Sequence, residues 1–340
     1  TITILLAAFG VHQGLQPTQC YATVRGAVGG GDTPDGRPCQ HRDECFEGGQ
    51  TGNDYLCEHP GLFNTHSVGG RVRYLGLLKD PNELSWAVGM GAPLAFALYE
   101  TRRSLLRLLI LLGTLGLVAA CVVMSQSRSG QLTFAAMLGI YFVRRFGLKG
   151  AVAAAVAMAP VLLFGGRSGD EAKESTEERL GCWAEGLNMW RGSPIIGVGN
   201  GQFTEHHYLT AHSSIVLTLA EMGPLGLFLW TAVIYFAFKI TIRIQLQFAT
   251  QPEAAPARTW SLAILASLTG MLVSAAFLSI PYHSILWIYV ALSGAVYGTV
   301  RAHEPDFRVR FGWRDFALVG AIDTVTVGFI AVYVRMKGAG

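Results

Sequence analysis

A chain of 340 residues that is 51% hydrophobic and only 14% charged, with a net charge of +3, is not an ordinary soluble domain. So small a positive excess gives no reason to expect a nucleic-acid partner. The composition describes an integral membrane protein, because a hydrocarbon core of about 30 Å needs about 20 apolar residues per helix.

The first apolar stretch, Thr1 to Val11, is too short to span and lacks both an initiating Met and the basic flank of a signal peptide. It reads as part of a truncated helix. Four of the six cysteines, Cys20, Cys39, Cys45 and Cys57, then crowd into a loop rich in Gly, Asp and Pro. No paired C-x-x-C occurs there, so the expectation is disulfides in one of three connectivities, within irregular structure, and no metal. At the loop's end, Asp80-Pro81-Asn82-Glu83 offers a side-chain cap, Pro at the first helical position and Glu three residues after the cap.

Eight spans follow: Glu83 to Tyr99, Ser104 to Met124, Gln131 to Val143, Ala151 to Gly165, Ser213 to Ile240, Trp260 to Ile280, Ser284 to Val300 and Phe316 to Val334. The third and fourth are short and are expected to extend into their flanks, tilt little or thin the bilayer. The chain divides accordingly into residues 1–82 (truncated helix and Cys-rich loop), 83–165 (membrane helices), 166–212 (a polar loop) and 213–340 (membrane helices). Basic clusters fall on every second connection: Arg102-Arg103, Arg144-Arg145 with Lys149, Lys239 with Arg243 and Arg258, and Arg301 with Arg308, Arg310 and Arg314. These predict the cytoplasmic side. The Cys-rich loop, Ser125 to Gly130, Gly166 to His212 and Pro281-Tyr282-His283 then face outward, where disulfides persist. Arg335 and Lys337, after the last span, are the exception.

Ser127-Arg128-Ser129-Gly130 is an outward turn whose arginine either snorkels to headgroups or faces a polar cavity. From Glu174 to Arg191, Leu180, Trp183, Leu187 and Trp190 recur at helical spacing, with Arg179 close to that stripe. Two tryptophans suit a helix lying at the interface, with the arginine meeting lipid phosphates or the diphosphate of a lipid-linked substrate. In Gly197-Val198-Gly199-Asn200-Gly201 no preceding strand supports a dinucleotide fold, so a turn packed close to a lipid or glycan is expected. His206-His207 lacks acidic or Cys partners and reads as polar loop. His212 opens a membrane helix, whose dipole favours its neutral, proton-accepting form. Glu221, inside that helix, either pairs with an arginine or braces the site. Gly223-Pro224 should kink the helix, and Asp323 in the last span is a second intramembrane acid.

The succession Lys79-Asp80-Pro81-Asn82-Glu83, Ser127-Arg128-Ser129-Gly130, Arg179 with Trp183, Pro194-Ile195-Ile196-Gly197-Val198-Gly199, Ala211-His212-Ser213 and Ala220-Glu221-Met222-Gly223-Pro224-Leu225-Gly226 resembles the bacterial O-antigen ligase and polymerase family. The resemblance runs from about Arg71 to Val300. It implies an all-α polytopic helical bundle of GT-C-like type in the bacterial inner membrane, with a large extracytoplasmic loop bearing an amphipathic helix and the active site on the periplasmic side. The implied activity is that of an inverting, metal-independent glycosyltransferase without a cofactor. Its donor is a glycan on undecaprenyl diphosphate, and its acceptor is lipid A core or another glycan or protein. Among membrane lipids, Arg128 and Arg179 would hold the diphosphate, His212 would deprotonate the acceptor, Gly197 and Gly199 would approach substrate, and Glu221, Asp80 and Asn82 would support them.

The Cys-rich loop and Ser213, where Asn is common, depart from the family pattern. Several N-terminal spans are expected to lie outside this chain, so that the chain by itself is not guaranteed to be active. The alternatives are a polymerase that joins lipid-linked repeat units and, from another class, a transporter or flippase using Glu221 and Asp323. A transporter would string acids through the midplane, whereas a transferase gathers Arg128, Arg179 and His212 at one outward face.

Overall fold

A computed structural model of the protein describes residues 2–23, 32–46, 55–164 and 170–338. The parts of the Cys-rich loop at 24–31 and 47–54, and the opening of the polar loop at 165–169, lie outside the described residues. The helices, in chain order, are α1 (Ile2–Leu15), α2 (Pro81–Gly89), α3 (Ala92–Thr101), α4 (Leu105–Met124), α5 (Arg128–Phe146), α6 (Leu148–Phe164), α7 (Asp170–Gly192), α8 (Phe203–His206), α9 (Ser214–Gln247), α10 (Ala255–Phe277), α11 (Ser284–His303) and α12 (Trp313–Met336). Five of them, α4, α9, α10, α11 and α12, are long and apolar enough to cross a membrane. The protein is therefore a polytopic, mostly helical membrane protein.

The remaining expected spans take other forms. Glu83 to Tyr99 is not one helix: it breaks between α2 and α3 at Met90-Gly91. Pro93 has no amide to give the carbonyl of Gly89, so the turn opens there. The Met90 carbonyl is then taken up by neighbours, accepting from Ser267 Oγ (2.8 Å) and Tyr289 Oη (2.7 Å). The two short spans do lengthen into their flanks, as α5 and α6. At 17 residues, α6 reaches only about 25 Å at 1.5 Å per residue.

Two thirds (67%) of the apolar window of α10 is buried, against 17% for α12, so α10 is the axis of the bundle and α12 lies at its periphery. Helices α5, α9, α3 and α11 pack around α10. Small residues permit close approach: a Cβ on Gly270 would lie 2.3 Å from Met137 of α5. The buried hydroxyls of Thr133 and Ser274 pair at 2.6 Å across the same interface, as hydroxyls must where water is absent.

The Cys-rich loop is more regular than its sequence suggests. Strands β1 (Gln19–Ala22), β2 (Thr33–Pro38) and β3 (Tyr55–Glu58) form an antiparallel sheet in the order β2-β1-β3. Disulfides Cys20–Cys45 and Cys39–Cys57 staple it, which selects one of the three connectivities. The strands carry little apolar alternation, so cross-links and pairing define them. The chain returns to the bundle where Val72 N–H donates to the Met124 carbonyl (3.4 Å) and Arg71 Nε to the Ser125 carbonyl (3.0 Å).

The connections sort into two ends as the charge pattern predicts. At one end Arg71 meets Ser125, Asn82 meets Ser127 and Glu83 meets His283. At the other, Arg145 pairs with Glu100 (2.9 Å) and Lys239 with Asp315 (2.6 Å).

Candidate functional site

The site is built on helix beginnings. Asp80 caps α2 by accepting from Asn82 N (2.7 Å) and Glu83 N (3.3 Å), and Glu83 reciprocates by accepting from Lys79 N (2.9 Å). The side-chain cap, Pro at the first helical position and Glu three residues on are those expected from the sequence, with the return bond falling on Lys79, one residue before the cap. Asn82 Oδ1 then accepts from Ser127 Oγ (2.7 Å), the residue whose side chain also caps α5 at Gly130 N (3.1 Å). A Cβ on Gly130 would stand 2.0 Å from Ser85 Oγ, so only glycine lets this turn press against α2. Arg128 opens α5 beside this contact. It is exposed, with no hydrogen bond or ion pair among the described residues.

Glu83 binds His283 Nε2 at 3.0 Å. His283 Nδ1 accepts from Ile285 N (3.2 Å) to cap α11, which leaves the ring proton on Nε2 to donate to Glu83. Trp86 meets the same imidazole edge-on at 5.2 Å. Neither His283 nor its pairing with Glu83 was apparent in the sequence, because 200 positions separate them and a lone His beside Pro-Tyr carries no motif.

His212 sits just before α9 with φ +49°, in the left-handed region. Its imidazole is half-buried, and burial foremost, then the positive charge of Arg179, holds its pKa below the ordinary value. The Asp80 carboxylate opposes this, and His207 adds to it. Arg179, Asp80 and His207 therefore each lie within electrostatic reach of His212, although they come from α7, the start of α2 and the loop after α8. Sequence reasoning treated His207 as loop. Its Nδ1 lies 3.1 Å from Leu209 N and 3.9 Å from Cys182 Sγ.

Replacing Asp80 by asparagine keeps a good cap while removing the charge that favours imidazolium. Asp80→Asn therefore lowers further the pH at which His212 takes up a proton and leaves expression unchanged; NMR titration of the imidazole in the purified protein checks this.

The glycine motif has a packing role that its sequence did not reveal. Helix α9 breaks at Gly223 (φ +66°), ahead of Pro224. Pro224 cannot donate to the carbonyl of Ala220, and the loop supplies the missing donors: Val198 N–H reaches Ala220 O and Gly199 N–H reaches Glu221 O, both at 2.9 Å. A Cβ on Gly197 (φ +70°) would fall 2.4 Å from the carbonyl carbon of Glu221. Gly197 and Gly199 thus approach the helix backbone. Glu221, 3% exposed, braces the same loop: its Oε1 accepts from Phe203 N (3.1 Å), an amide and not an arginine. Asp323 binds Thr231 (2.7 Å) between α9 and α12. It lies ten residues of α9, about 15 Å, from Glu221, so the two acids form no chain.

Helix α7 begins at Asp170 and ends at Gly192. It packs on α9 and α12 and does not lie free at a bilayer surface: Leu187 is buried, and Trp183 meets Tyr333 at 6.3 Å. Arg335, the exception to the charge pattern, stands with Arg191 of α7 around a cavity of about 490 Å³.

Residues 112–231, which include Arg128, Arg179, His212 and Glu221, match the family model described as O-Antigen ligase (Wzy_C). The chain is also similar to the exopolysaccharide production protein ExoQ of Rhizobium meliloti (strain 1021), at 24% identity over 261 residues. That alignment takes in 66% of this chain and 58% of ExoQ, so the chain spans little more than half the length of this curated relative.

Proposed function

We propose, for a chain whose residues 112–231 match the O-antigen ligase family model, that it transfers a glycan from an undecaprenyl-diphosphate carrier to an acceptor hydroxyl. The reading is carried by one observation: His212, half-buried at the left-handed residue just before α9, lies within electrostatic reach of the Arg179 guanidinium, which with burial disfavours its protonated form. The acceptor oxygen attacks the anomeric carbon, its proton passes to the neutral imidazole of His212, and the bond from that carbon to the diphosphate breaks with inversion. The carrier diphosphate leaves with the electron pair, and Arg179 and Arg128 stabilise its charge. Because a diphosphate leaves readily, the reaction calls for neither a general acid nor a metal. Arg128 supports this reading, since a cation at a positive helix N-terminus is misplaced unless an anion joins it. Two disulfides and the alternation of basic connections favour the periplasmic face of a bacterial inner membrane.

The test supplies the purified full chain with a synthetic prenyl-diphosphate glycan and follows the anomeric configuration of the product by NMR. Inverted product, formed equally in the presence of a chelator, is expected; retained configuration overturns the displacement. A second reading, polymerisation, is favoured by the relative that acts in exopolysaccharide production. Offering lipid A core and a second lipid-linked repeat unit side by side decides between them by which one receives the glycan.

A further inference from the structure

At the end of the bundle opposite His212, α9 and the start of α12 with the segment before it flank an open cavity of about 710 Å³ that no step of the transfer uses. Lys239, Arg243, Arg310 and Arg314 line it, with Asp315 as the one acid in its lining. That acid is already matched. It accepts from Gly312 N (2.7 Å), Tyr235 Oη (2.6 Å) and Lys239 Nζ (2.6 Å to each oxygen), while Lys239 also donates to the Arg310 carbonyl (2.8 Å). The three arginine side chains are exposed and form no hydrogen bond or ion pair among the described residues. Three like charges around one hollow repel each other unless an anion stands between them.

The rest of the lining is not that of a site for a free anion. Phe238, Ile242 and Leu246 also face the cavity, and their spacing of four residues makes them one apolar stripe along α9. At the rim Trp313, 83% exposed, stacks on Phe316 with ring centres 5.0 Å apart, and Phe311 meets Tyr235 edge-on at 6.2 Å. Exposed aromatic rings of this kind sit at the headgroup level of a bilayer. The cavity therefore joins a cationic mouth at the membrane surface to an apolar wall running into it.

We propose that it holds a phospholipid with an acidic headgroup, the phosphate on Arg243, Arg310 and Arg314 and an acyl chain along Phe238, Ile242 and Leu246. The arginine fork suits phosphate oxygens, and basic pockets between membrane helices recognise such headgroups. The site stands independently of the transfer reaction.

The full chain, purified in detergent with phosphatidylglycerol or phosphatidylcholine added, is examined by native mass spectrometry. Phosphatidylglycerol is expected to stay bound in preference, and each arginine-to-glutamine change to weaken it about fivefold. The triple variant Arg243→Gln/Arg310→Gln/Arg314→Gln loses it, whereas Arg102→Gln/Arg103→Gln/Arg144→Gln, at the same end of the bundle, keeps it. Should the triple variant fail to fold, Arg314→Gln alone reads the single step. Equal loss in both triple variants, undiminished binding in the first, or displacement of the lipid by millimolar inorganic phosphate would overturn the proposal.

Discussion

Arg179→Ala lowers glycan transfer by a factor of about 10²–10³, the usual cost of removing one preorganised group that meets charge developing in the transition state. His212→Ala loses about 10²–10⁴, the range of a positioned general base. Because both act in one step, the double variant falls short of the product of the two losses. The measurement is glycan attachment in cells lacking their own enzyme, with membrane abundance of each variant quantified alongside. Undiminished attachment in both single variants at wild-type abundance ends the catalytic assignment. Arg179→Lys, which keeps the charge without the planar fork, falls between wild type and alanine.

Gly197→Val is the second large effect, and it acts on the fold. The side chain would collide with the backbone of Glu221, where even a Cβ stands at 2.4 Å, and its branched carbon is poorly suited to φ +70°. A cost of about 2–4 kcal/mol is expected. Because Val198 and Gly199 supply the donors that the break at Pro224 requires, the loop and the membrane helix fail together. Gly181→Ala in α7, with open space around the site, is the control: it leaves stability unchanged or raises it by up to about 1 kcal/mol. Thermal unfolding in detergent, read by tryptophan fluorescence, separates the two.

The parts of the fold governed by local pattern were visible in the sequence. The long apolar runs of α4, α9, α10, α11 and α12 and the side-chain cap at Asp80 each depend on neighbours within a few residues. The break between α2 and α3 was also signalled, by Gly91 and Pro93, but apolar continuity across Met90 masked it. What was hidden depends on pairing across distance. The donors of Val198 and Gly199 match carbonyls that only the break at Pro224 exposes. His283 reaches Glu83 only because α11 begins beside α2, and the sheet in the Cys-rich loop is held by cross-links that spacing alone leaves in three forms. Within the candidate site, residue types were readable, whereas the roles of Asp80 and His207 in setting the state of His212 follow from the packing of α2, α7 and α9.

The left-handed backbone at His212 offers a way to subtract chemistry without disturbing architecture. Glycine adopts φ +49° freely, so His212→Gly should leave the Ser213 cap of α9 in place and vacate a void of imidazole size. A small soluble base added to the medium can then occupy that void, and recovery of turnover in proportion to its concentration and basicity is the chemical complementation that a proton acceptor, and not a merely structural side chain, would show.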